Sequence, residues 1–107
     1  MDIGGLRHRV KLLRRVLTDA DGFGQQATDY QEYATVWASV ETLTGRELEM
    51  ARQISATATL KVTVRYHADL TETDRIEFSK RIFEIVAMDN PEQRNELLYL
   101  QCSEVRP

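Results

Sequence analysis

Hydrophobic positions along the chain follow two periods, and the changes between them mark the elements. From Tyr33 the period is two: Ala34, Val36, Ala38 and Val40 share one face, while Thr35, Trp37 and Ser39 take the other. That is the pattern of a half-buried strand, and its β-branched and aromatic residues agree. At Thr44-Gly45-Arg46-Glu47 the sequence takes capping-box form, and Leu48, Ala51 and Ile54 then follow the helical repeat. The spacing predicts a short helix over 45–54. Period two returns at 58–66, where Leu60, Val62, Val64 and Tyr66 alternate with Lys61, Thr63 and Arg65. Segments 75–78 and 81–88 predict a hairpin about Ser79-Lys80, a pair without the Gly or Asn that two-residue turns prefer, so a longer loop is expected. Asp89-Asn90-Pro91 breaks the chain, and Leu98, Leu100 and Cys102 alternate with Tyr99, Gln101 and Ser103 in a last strand.

The first segment fits both templates. Leu6, Val10, Leu13 and Leu17 recur at helical spacing, whereas His8, Val10 and Leu12 alternate with Arg7, Arg9 and Lys11 as in a strand. The stretch 18–24, rich in Asp and Gly, reads as a loop. Five or six short strands and one helix give an all-β class, a small antiparallel barrel or sandwich, since strands with one wet face must close or stack to hide the other. The expected core is Val36, Val40, Leu60, Val62, Val64, Ile76, Phe83, Ile85, Leu98 and Leu100. At 107 residues the chain is the size of one domain.

Composition narrows the function. With 17 acidic and 14 basic side chains the net charge is −3, which argues against an independent electrostatic grip on nucleic acid or an anionic membrane. The charge is uneven, however. Arg7, Arg9, Lys11, Arg14 and Arg15 crowd the first fifteen residues, whereas 69–104 carry nine acids and four bases. Such polarity suits like subunits docking head to tail, and equally a solvated surface. The lone Cys102 fits a reducing compartment, and no signal peptide or membrane-length apolar run is present, so a soluble intracellular protein is expected.

Catalytic chemistry is sparse. His8 and His67 are the two histidines, and no zinc, phosphate-loop or nucleophile-elbow motif occurs. His67 reads as a surface imidazole and Cys102 as core. The acidic pairs Glu47 with Glu49 and Glu72 with Asp74 read as solvated charge, because nothing places them in an apolar pocket. Trp37, Tyr66, Phe78 and Phe83 fall within the strands as core or half-core residues, leaving no obvious stacking platform.

The residues in combination resemble a known family. The blocks 5–10 (Gly-Leu-Arg-His-Arg-Val), 33–41 (Tyr-Ala-Thr-Val-Trp-Ala-Ser-Val-Glu), 44–47, 62–66 (Val-Thr-Val-Arg-Tyr), Asp74-Arg75-Ile76 and 81–85 (Arg-Ile-Phe-Glu-Ile) are similar, in order, to the head-tail joining proteins of long-tailed bacteriophages, the head-tail adaptors or head-completion stoppers. The sequence departs from that pattern at Ser79-Lys80, where Gly is common, and at Tyr30 or Tyr33, where Trp is frequent. The resemblance implies a small β-barrel with a short helix and long mobile loops, without enzymatic activity, cofactor or metal. It implies a virion protein at the head-tail interface, assembled in the host cytoplasm as a ring on the portal-connector adaptor after DNA packaging, with tail-end proteins as later partners. Packaged DNA would pass nearby without tight binding, and no membrane is involved. It also favours a strand over 6–17. On this reading Arg7, Arg9, Lys11, Arg14 and Arg15 form a docking patch, Arg46, Glu47 and Glu49 reach a ring neighbour or the channel, and segments 18–29 and 42–58 are the mobile parts. The rival classes are an oligonucleotide-binding-type barrel for single-stranded nucleic acid, and a small enzyme or ligand carrier with an apolar pocket.

Overall fold

The computed structural model describes residues 6–19 and 26–105. Six strands appear among them: β1 (His8–Asp19), β2 (Gln26–Thr42), β3 (Ala58–Arg65), β4 (Arg75–Phe78), β5 (Arg81–Asp89) and β6 (Leu97–Glu104). One helix, α1 (Gly45–Ile54), joins β2 to β3, and a single 3-10 turn, Pro91–Gln93, precedes β6. Every pairing is antiparallel, and the order β1-β2-β3-β6-β5-β4 returns to β1 as a closed barrel. Closure leaves the body of the sheet without edges and lets each strand hide one face inside.

The first segment is a strand. Val10 and Leu12 are fully buried, with Arg9 and Lys11 outside, and β2 and β4 flank them. The helical reading fails at Leu17, which is 64% exposed. The predicted loop also shrinks: β1 runs to Asp19 and β2 starts at Gln26, seven residues before the alternation from Tyr33. Residues 20–24 of that loop, and Gln25 after it, lie outside the described residues. Backbone pairing carries the ribbon outward where neither face is apolar enough to show a period. The register passes from Leu12↔Ala34 to Leu13↔Glu32, so Tyr33 is an extra residue on β2, a β-bulge.

Inside the barrel, Val10, Val62, Val64, Ile76, Phe83 and Leu100 are at most 1% exposed, and Cys102 packs among them. Of the ten expected core residues, Val36, Val40 and Leu60 are only partly buried against this cluster. The β4–β5 connection is tighter than expected. Phe78 pairs with Arg81, and Ser79 (φ 53°) and Lys80 (φ 63°) both adopt left-handed backbone. Those are the angles of a primed two-residue turn, accepted here without Gly because they match the sheet's twist.

Helix α1 begins without its predicted cap. The Thr44 side chain makes no capping hydrogen bond. Glu47 points instead to Lys61 on β3, Oε2 to Nζ 3.3 Å. The helix lies on the outside of the barrel over a second small core of Leu43, Ala51 and Ala58, with Leu48 and Val86 at its margin. Val86 reaches it because β5 also bulges, the register stepping from Ile85↔Cys102 to Ala87↔Gln101. The Arg52 Nε–H donates to the Ala58 carbonyl at 2.9 Å.

Candidate interaction surfaces

The registers sort the connections onto two mouths of the barrel. Leu13 pairs with Arg75, and Arg65 with Leu97, which places the β3–β4 and β5–β6 connections at one mouth. The start of β1, the β4–β5 turn and the α1 segment belong to the other, since Lys11 pairs with Glu77 and Thr42 with Leu60. Charge follows this division. Asp69, Glu72, Asp89, Glu92 and Glu96 are all exposed at the first mouth, while Arg7, Arg9, Arg46, Arg52 and Lys80 are exposed towards the second. Exposed Arg65 and Arg94 at the first mouth, and Glu41, Glu47 and Glu49 at the second, offset part of this, so the imbalance seen along the sequence becomes a modest polarity along the barrel.

The five basic residues of the first segment do not form one patch. Lys11 is bridged to Glu77 at 3.4 Å and Glu32 at 3.8 Å. Arg14 turns to the first mouth and binds Asp74. Arg7, Arg9 and Arg15 are exposed and make no ion pair with another described residue. Arg9 stacks on Trp37, its guanidinium 4.8 Å from the ring centre. Trp37 and Tyr66, expected as core or half-core, are 51% and 39% exposed. Trp37 sits on the odd-numbered outer face of β2, opposite the apolar residues whose alternation identified the strand. On α1, Arg46 and Glu49 are exposed and Glu47 is engaged with Lys61.

Asp74 corrects the expectation of solvated charge. Its side chain is 1% exposed and accepts five hydrogen bonds. The Tyr33 hydroxyl donates to Oδ2 at 2.7 Å and the Thr71 amide at 3.1 Å. Thr71 Oγ1 donates to Oδ1 at 3.2 Å, and Arg14 donates through Nε and Nη2 at 3.4 and 3.3 Å. Arg14 also donates to the Asp69 carbonyl, lies 4.3 Å over the Tyr33 ring, and has His67 edge-on at the ring's other contact, 5.9 Å away. Burial penalises the Asp74 carboxylate, but the bonds from Tyr33, Arg14 and Thr71 outweigh it and hold the group below the ordinary carboxylate range. Burial and the same carboxylate push the Tyr33 phenol far up. The cluster ties the bulge of β2 and the edge of β1 to the β3–β4 loop, a mechanical role for the Asp-Arg-Ile block. The only sequence signal for it was that block's place in the family pattern.

Grooves also lie outside the barrel. One, of about 340 Å³, runs beneath α1 between Ile54, Lys61, Met88, Tyr99 and Gln101; another, of about 740 Å³, lies between Thr42, Arg52, Leu60, Arg81 and Glu104. Neither gathers convergent catalytic groups, and among the described residues no cluster of His, Cys, Asp and Glu is placed to hold a metal ion. Cys102 is buried and its thiol is pushed up to about 12 by that burial, the condition of a packing residue. No helix among the described residues is long and apolar enough to cross a membrane.

Comparison with known proteins bears on the whole chain. The family model described as phage head completion protein matches residues 1–105. The solution structure of protein SF1141 from Shigella flexneri 2a is similar at 28% identity and a TM-score of 0.77, covering 97% of this chain and 96% of that one. A chain in the virion of a native gene transfer agent particle shares the fold at 24% identity and a TM-score of 0.58, over 94% and 96% of the two chains. No curated protein sequence matches.

Proposed function

The chain belongs to the phage head completion protein family, and on that premise we propose that it joins the DNA-filled head to the tail, as one subunit of a ring that docks on the portal connector and then receives the tail. The observation that carries this reading is the polarity of the barrel. Acidic side chains outnumber basic ones at one mouth, and Arg7 and Arg9, which make no ion pair with another described residue, stand towards the other with α1. A connecting ring must present different surfaces above and below, and opposite charge at its two ends provides them while steering the approach of each partner. No catalytic step enters this reading, and the net charge of −3 suits a passage that DNA must leave quickly.

Within this reading Arg7, just before β1, and Arg9 on it are the docking residues, with Arg15 on the far half of the strand. Lys11 and Arg14 serve the fold. Charge reversal of Arg7 and Arg9 together tests it. The variant is expected to fold, since exposed charges contribute little to stability, and to complete heads slowly or not at all in a joining assay with purified connectors. Normal joining by a folded double variant would move the docking surface elsewhere.

One observation favours a second reading, a barrel that binds single-stranded nucleic acid: the exposed Trp37 carries Arg9 on its face, an arrangement on which bases stack. Titration with single-stranded DNA at two salt concentrations separates the two. Joining predicts no tight complex at either, and the second reading predicts binding that weakens steeply with salt.

A further inference from the structure

The barrel closes, but one part of the sheet does not. β4 pairs with β1 only at Lys11–Leu13, and β3 pairs with β2 only at Ala38–Thr42. Beyond those points β1 and β2 continue together, from Arg14↔Gln31 to Asp19↔Gln26, as a two-stranded arm. At the base of the arm the β3–β4 loop flanks Arg14 and Tyr33. From Arg15 onward on β1, and from Glu32 back on β2, neither strand has a second strand beside it among the described residues. Such edges present rows of backbone donors and acceptors at strand spacing, ready for another strand.

Charge distinguishes the two edges. The exposed Arg15 belongs to β1 and the exposed Asp29 to β2, at neighbouring levels of the arm, while Arg14 and Glu32 at its base are taken up by Asp74 and Lys11. We propose that the β1 edge of one copy pairs with the β2 edge of a second copy, so that the arms of successive copies merge into one antiparallel sheet. The direction follows from the topology: when two arms lie side by side and point the same way, β1 of one runs opposite to β2 of the next. Pairing β1 with β1 would set arginine against arginine, and β2 with β2 carboxylate against carboxylate, both unfavourable across a strand pair. Only the unlike edges match. The contact is therefore heterologous, the kind that repeats around a ring instead of stopping at a dimer. Asp29 guards the edge in the free subunit, its Oδ1 accepting the Tyr30 N–H at 2.8 Å. This inference rests on the ring proposed above and names the part of the chain that closes it.

Cross-linking tests it. In arms that lie side by side and point the same way, Leu17 of one copy stands level with Thr28 of the next, as it does with its own Thr28, so the two positions fall within the ~7 Å that a disulfide can span. Each variant carries one new cysteine, so a bond between the two positions can form only between copies. The buried native Cys102 contributes little background. Leu17→Cys and Thr28→Cys proteins are mixed on connector-bearing heads, oxidised mildly and run without reductant, with electron microscopy of the same sample. A mixed disulfide is expected in the mixture and little dimer with either variant alone. In the unmodified protein, amide exchange at 15–19 and 26–32 should slow about tenfold or more on assembly. A ring in the micrographs with no mixed disulfide and unchanged exchange would overturn the edge pairing and leave the ring standing. Cross-links to a connector protein alone would overturn it in favour of a different partner strand. Absence of any ring would overturn both this inference and the function on which it rests.

Discussion

The two long connections of the barrel, the β3–β4 loop and the α1 segment, are attached to the same sheet in opposite ways. The loop is fixed by charge: Asp74, 1% exposed, gathers Tyr33, Arg14 and Thr71 around one carboxylate with five hydrogen bonds. Helix α1 is held by a few small apolar side chains around Ala51, by Arg52 on one carbonyl and by an ion pair whose Glu47 is 58% exposed. Beneath it the Gln101 Oε1 is buried without a hydrogen-bond partner among the described residues, whereas every oxygen of Asp74 is occupied. A satisfied buried network is rigid, and a ten-residue helix over a sparse core is not. The mouth that carries the arm is thus the more firmly tied, and the helix at the other mouth has fewer ties to break. In the proposed ring, a change in the position of α1 would cost few contacts.

Breaking the stronger attachment gives the largest effect. Asp74→Ala leaves the Tyr33 hydroxyl and the Thr71 amide without their acceptor, and stability in urea is expected to fall by about 2–4 kcal/mol. Tyr33→Phe removes one of the five bonds and is expected to cost about 1 kcal/mol. The pH dependence sharpens the same point. The folded pKa of Asp74 lies below its unfolded value, so its contribution is complete above about pH 4 and is lost as pH falls through the folded value. The folded pKa of Tyr33 is raised, so its contribution is complete below about pH 10 and is lost as pH rises beyond it. Stability measured across pH should therefore lose its alkaline fall in part in Tyr33→Phe and show a smaller acid fall, since one of the bonds that lower the Asp74 pKa is gone, while Asp74→Ala flattens both more fully.

The contrast between these regions also marks what the sequence makes legible. Strands β2 from Tyr33 and β3 were readable because one face meets the core and the other turns outward, so Val62 and Val64 alternate with Lys61 and Thr63, and β6 because Leu98, Leu100 and Cys102 alternate into the core, although its outer face is itself partly covered, with Ser103 buried. Asp29, Gln31 and Glu32 are exposed, and the run 26–32, Gln-Ala-Thr-Asp-Tyr-Gln-Glu, carries no period from which a strand can be read. Trp37 looked half-buried by residue type, although its odd position on β2 already placed it outside. Asp74 was hidden for a different reason. Its partners come from β1, β2 and the loop, 60, 41 and 3 residues away, and no local pattern distinguishes a carboxylate that such distant groups will enclose from one left in water. The capping box at Thr44 failed in the reverse sense, since Glu47 found a tertiary partner in Lys61 that outcompeted the local one. The basic run 7–15 divided likewise, Lys11 and Arg14 being taken up by carboxylates that the linear sequence places far away.

The smallest effect on stability should fall on the weaker attachment and still be visible in dynamics. Glu47→Gln removes the charge from the pair with Lys61, which is partly solvated and screened, so global stability is expected to change by no more than about 0.5 kcal/mol. That pair nevertheless links α1 directly to β3, and the helix has few other ties. Local opening is governed by the ties that opening breaks, not by the global free energy. Amides 48–54 should therefore exchange faster in Glu47→Gln at unchanged melting temperature, while the Thr71 amide, bound to Asp74, keeps its rate. Equal acceleration at Thr71 would mean that the two connections open as one unit, and that the difference in their attachment does not divide the molecule's motion.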